Sequence, residues 1–120
     1  MPQIIDFHAH AFPDQVAARA VPTLEEAGQV TACLDGRIDS LLLSMDQTGI
    51  EKSVICSIAT RPEQFASILS WSQDIRSDRI IPFPSFHPDA PDALEQISAI
   101  KAAGFLGIKM HPYYQNFALD

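Results

Sequence analysis

The chain has 120 residues, 47% of them apolar and 19% charged, the balance of a soluble globular domain with enough apolar surface for one core. A formal net charge of −7 argues against non-specific nucleic-acid binding, which needs a basic surface. No apolar run approaches the ~20 residues that span a bilayer, and the N-terminus has no signal-peptide pattern, so a cytoplasmic protein with no membrane partner is expected.

The first element is "IIDFHAH", Ile4–His10, a short run rich in Ile and Phe that reads as a strand. Residues 11–37 are less regular. A helix started by Asp14 and disturbed by Pro22 fits there, and so long a connection is often a functional lid. Asp39 is the expected N-cap of the next helix, Leu42, Leu43, Met45 and Ile50 its apolar surface, and Gly49 its left-handed stop. "SVICSI", Ser53–Ile58, is a second strand, continuously apolar as in a sheet covered on both faces. Thr60 and Glu63 have capping-box spacing, with Pro62 tolerated in a first turn. The helix that follows carries Phe65, Ile68, Leu69, Ser72 and Ile75 on one stripe, with Trp71 as a packing residue. "IIPFPSF", Ile80–Phe86, is a third strand, although Pro82 and Pro84 weaken it. A helix with Leu94, Ile97 and Ile100 on one stripe ends at Gly104, and "FLGIKMH", Phe105–His111, is a fourth strand.

Strand starts at 53, 80 and 105 are 27 and 25 residues apart, a step that means βα units and a parallel sheet with helices outside. Residues two apart on a strand share a face, so His8 and His10, with Asp6, point one way at the C-terminal end of the first strand. Two imidazoles there can reach one cation. His87 follows the third strand, and Lys109 and His111 end the fourth, so all four histidines fall at strand ends. In a parallel sheet those ends share one rim, where ligand and catalytic residues gather. Blander readings stand beside these: His87 in a loop that starts the next helix with Asp89 capping, and Lys109 in an ion pair. Cys33 and Cys56 lack CxxC spacing and read as free thiols.

The segments "IIDFHAHAFP", "SMDQTGIEKSVICSIATRPEQ", "IIPFPSFHPDAPD" and "GFLGIKMHPYYQNFALD" together resemble the metal-dependent amidohydrolase superfamily. They look most like the amidohydrolase 2 branch, which also holds decarboxylases of the aminocarboxymuconate-semialdehyde type. The resemblance implies an α/β fold, the N-terminal half of a (β/α)8 TIM barrel, with about four parallel strands and flanking helices in one partial-barrel domain over residues 1–120. It implies a divalent metal, zinc first and manganese second, with His8 and His10 matching the first two ligands. Lys109 matches a position that in some relatives is a carbamylated lysine bridging two metals, and is a candidate catalytic residue with His111, which would contact substrate or the activated water. The family's further ligands, histidines on the fifth and sixth strands and an aspartate on the eighth, have no counterpart here. A full barrel runs ~250 residues, so a fragment of a longer product, or a half-barrel that associates, is expected. The implied activity of the full-length parent is hydrolysis of a small amide, ester or lactone, with non-oxidative decarboxylation second. The rival is an inert chain that self-associates through open sheet edges, making a homo-oligomer the expected assembly. A doubly wound binding domain is disfavoured, since no GxGxxG or GxxxxGK[ST] loop follows the first strand.

Overall fold

Residues 2–120 are described by a computed structural model in which β1 (Ile5–Ala9), β2 (Lys52–Cys56) and β3 (Ile80–Phe83) form a parallel sheet in the order β1-β2-β3. The helices are α1 (Asp14–Gly28), α2 (Ile38–Thr48), α3 (Phe65–Ile75), α4 (Ala93–Ala102) and the single turn α5 (Pro112–Gln115), with a 3-10 turn at Pro62–Gln64. This is an α/β domain of the alternating kind that the strand spacing predicts.

The core lies between one face of the sheet and two helices. Ala9, Ala11, Ile55 and Ile80 meet Met45 of α2, and Ile38, Leu41, Leu42, Trp71 and Ile75 close around them. Trp71 is thus a packing residue, as expected. Ser53 through Cys56 of β2 are all buried, the double-sided cover that their apolar run implied. The edge strand β1 is different: Ile5 and Phe7, with Ile4 just before them, remain 48%, 66% and 49% exposed.

Sequence signals and structure part at several places. The expected fourth strand does not form. Residues 105–111 run beside β3 with one backbone bond between them, the Lys109 N–H donating to the Pro84 carbonyl at 2.9 Å. The two prolines supply the reason. A strand residue aims its N–H and C=O at the same neighbour. Phe83 faces β2, where its carbonyl accepts from Ser57 N–H at 3.3 Å. Pro82 and Pro84 therefore face outward, and neither has an N–H to donate. The prolines leave β3 intact and remove two donors from its outer edge, and the remaining one, Ile80 N–H, is taken by Ser77 Oγ at 3.1 Å. The 105–111 segment still approaches closely, because Gly107 lies over the Phe83 ring, where a Cβ would come within 2.5 Å.

α1 continues through Pro22 instead of breaking there. The ends of the 11–37 connection are tied together, with Phe12 N–H donating to the Gly36 carbonyl at 2.8 Å and Arg37 paired with Asp14 at 3.0 Å. Gly36 has φ +82°, and an added Cβ would meet Val21 at 2.7 Å, so both the turn and the space require glycine. At α2 the N-cap is Arg37 and Asp39 sits in the first turn; Gly49 ends the helix with φ 74° as expected. Before α3, Gln64 takes the role assigned to Glu63: its side-chain oxygen accepts from the N–H groups of Thr60 and Arg61 at 2.8 and 3.1 Å.

Candidate functional site

The C-terminal end of β1 is irregular. Asp6 pairs with Ser53 and Ala9 with Ile55, so Phe7 and His8 together stand opposite Val54, the signature of a β-bulge. The Asp6 carboxylate accepts the His8 N–H at 3.0 Å. Strict alternation is lost here, yet the rings of His8 and His10 still meet, their centroids 5.0 Å apart at an angle of 68°. Both residues keep solvent-accessible surface.

His10 is oriented by the neighbouring strand. Its Nδ1 lies 2.9 Å from the Cys56 carbonyl at the end of β2. A carbonyl can only accept, so Nδ1 carries the proton and Nε2 keeps a free lone pair. This is the arrangement in which a backbone acceptor orients a metal-binding imidazole. Desolvation of the packed part of the ring holds its pKa below the ordinary value; the hydrogen bond to Cys56 opposes this, and electrostatic repulsion from the neighbouring His8, Lys109 and His111 adds to it. His10 is accordingly neutral at pH 7.

Lys109 and His111 reach the same rim without a fourth strand to carry them. Lys109 is half-buried, anchored through its backbone at Pro84, and among the described residues it has no carboxylate within 4.0 Å. Its charge is felt at His10 and at the Cys56 thiol. That thiol is pushed up by burial against the opposing pull of Lys109, and it stays protonated at neutral pH. Both cysteines are free, as expected.

His111 is the N-cap of α5, its ring Nδ1 accepting from Tyr114 N–H at 3.3 Å. The ring leans on Tyr114, with centroids 4.4 Å apart. With Nδ1 as acceptor, the proton of neutral His111 sits on Nε2. His10 and His111 therefore present opposite functions, a lone pair from one and an N–H from the other. His87 lies in the loop before α4, as its blander reading had it, but the N-cap of that helix is Asp92 and not Asp89. His87 is buried, its Nδ1 accepts from Asp89 N–H at 3.2 Å, and its carbonyl accepts from Ala90 N–H at 3.0 Å in the turn before α4.

Among the described residues, no three His, Cys, Asp or Glu side chains converge where one metal ion could be held. His8 and His10 are a pair without a third donor. The surface hollows beside α1 and α2, lined by Asp14, Asp35 and Arg37 or by Cys33, Leu43 and Gln47, contain none of the histidines. No family model, no curated protein and no solved structure matches this chain.

Reading by residue type misses two parts of the site. The Cys56 carbonyl is a backbone group, invisible in composition. Gln115, within "PYYQN", is the other: it is 1% exposed, a burial that no local pattern announces.

Proposed function

We propose that this chain carries the first part of a metal-dependent hydrolase site, built on the N-terminal half of a (β/α)8 barrel as its resemblance to amidohydrolases implies. One observation carries the reading: the paired imidazoles of His8 and His10, with His10 Nδ1 donated to the Cys56 carbonyl so that Nε2 is free. The donor chemistry fits zinc, which neutral imidazole nitrogens suit; manganese, which prefers oxygen donors, comes second. The donor count among the described residues is two, whereas a catalytic zinc normally has three protein ligands plus water, so the pair by itself holds a cation weakly. The sequential parallel order β1-β2-β3, with α2 and α3 on one face, supports a barrel segment.

A bound divalent cation would supply Lewis-acid activation of water and of a substrate carbonyl. The chain's own residues do the rest. Lys109, with no carboxylate partner among the described residues, offers a positive charge to a substrate oxygen. His111, with its proton on Nε2, donates to a negative oxygen or to a leaving group. The substrate class is a small amide, ester or lactone. The unpaired Lys109 also suits a substrate carboxylate, which favours decarboxylation as the second reading.

Zinc titration followed by isothermal calorimetry and by imidazole ¹⁵N shifts tests the site without requiring turnover. Uptake that shifts His10 Nε2 and is lost in His8→Ala and in His10→Ala is expected. Absent uptake, or uptake indifferent to both substitutions, overturns the reading. The exposed β1 edge, with Ile4, Ile5 and Phe7, supports self-association as the rival. A concentration-dependent dimer by light scattering that takes up no zinc would favour that alternative.

A further inference from the structure

The segment carrying Lys109 and His111 is not held by a strand ladder, so something else must fix it. Gln115 does. Its side-chain oxygen accepts the His111 N–H at 2.7 Å, and its amide nitrogen lies 2.9 Å from the Ala59 carbonyl and 2.8 Å from the Phe86 carbonyl. Ser85 Oγ is a longer third neighbour at 3.3 Å. Two hydrogens meet two carbonyls, and the oxygen meets an N–H, so only one orientation of the carboxamide satisfies all three partners. Ala59 belongs to the loop after β2, and Ser85 and Phe86 to the loop after β3. One buried side chain thus joins three segments of the C-terminal rim.

The bond to His111 is half of a reciprocal pair. His111 Nδ1 accepts from Tyr114 N–H while Gln115 accepts from His111 N–H, closing the single turn of α5 from both ends. A one-turn helix has little stability of its own. Its geometry, and with it the ring orientation of His111, is set where Gln115 is anchored.

We propose that Gln115 is the positioning residue of the rim, holding His111 with its proton on Nε2. This rests on the reading of the rim as the working site, but its test needs neither metal nor substrate, so either idea can fail alone. Gln115 touches no reacting atom and acts through His111.

The test is NMR of the metal-free chain at pH 8, reading imidazole ¹⁵N tautomer shifts and amide hydrogen exchange. In the unsubstituted chain the two side-chain amide protons of Gln115 should exchange slowly, and His111 should show a protonated Nε2. In Gln115→Leu, which keeps bulk and removes the carboxamide, the His111 amide should exchange at least about tenfold faster, the gain expected from losing about 1.4 kcal/mol of protection. His111 should then report a mixture of tautomers, while His10 keeps its protonated Nδ1 and the Trp71 indole is unmoved. Simple destabilisation would speed all amides together. Rapidly exchanging Gln115 side-chain protons, or a folded Gln115→Leu chain with His111 unchanged, overturn the proposal. Should Gln115→Leu fail to fold, Gln115→Asn, one methylene short of its partners, is judged by the same criterion.

Discussion

The two rims of the sheet use polar side chains in opposite ways. At the N-terminal rim two arginines are tied to backbone carbonyls. Arg79 donates to the carbonyls of Glu51 and Ile50 at 3.2 and 3.0 Å and pairs with Asp46. Arg76 donates to the Ala103 carbonyl at 2.9 Å and lies 4.3 Å from the centre of the Phe105 ring. At the C-terminal rim the polar ends stay available. His10 is held by one ring nitrogen and keeps the other, while Lys109 is held through its backbone and keeps its ammonium. Charged heads bonded to backbone carbonyls brace strand entrances; side chains anchored at one end keep the other able to meet a ligand. The division matches parallel α/β architecture, where the C-terminal rim carries chemistry and the opposite rim carries stability.

The sharpest way to break this comparison is at the arginine rim. Arg79→Met removes a fork that serves two carbonyls and a carboxylate, and should lower stability by about 2–3 kcal/mol in urea unfolding. Zinc uptake measured under folded conditions should be unaltered. A loss below about 0.5 kcal/mol would mean that this rim is not the structural one.

A somewhat smaller effect is expected from Gly107→Ala, whose new methyl would press on Phe83. Overpacking of this kind costs about 1–3 kcal/mol, and thermal melts of Gly107→Ala with and without Phe83→Leu should show partial rescue by the smaller side chain. Additive losses would mean that the two residues do not meet.

Further down the scale, His10→Ala should change stability by less than about 1 kcal/mol, the net worth of one hydrogen bond, while removing zinc uptake. A large loss of stability without a change in zinc uptake would reverse the roles of the two rims.

The smallest effect is in pH dependence. The His10 pKa is lowered in the folded chain from an ordinary value of 6.5. On acidification the unfolded chain therefore takes up this proton first, and folding stability falls as pH drops through 6.5 toward the lowered value. Above the ordinary histidine range His10 contributes no slope. Comparing unfolding midpoints at several pH values for the unsubstituted chain and His10→Gln should show a shallower acid loss in the variant. Identical profiles would remove the burial of His10 as the cause.

Much of the fold was legible because its signals are local. Gly49 stops α2, one stripe of α3 faces the core, and a regular step between apolar runs gives parallel strands. The HxH pair at the end of β1 was legible too, since residues two apart lie near one another even across a bulge. Pro82 and Pro84 were readable as donorless residues, but only pairing with β2 decided which edge they would disable.

Local spacing thus determined the alternating elements, the core stripe of α3 and the nearness of His8 to His10. Tertiary structure decided which nitrogen of His10 is free, that Phe105–His111 lies beside the sheet without joining its ladder, and that Gln115 pins the rim. The physical reason is reach: helix stops and apolar periodicity act over a few neighbouring residues. The hydrogen bonds that orient His10 and bury Gln115 join groups 46 and 56 residues apart, whose partners exist only once the strands have assembled.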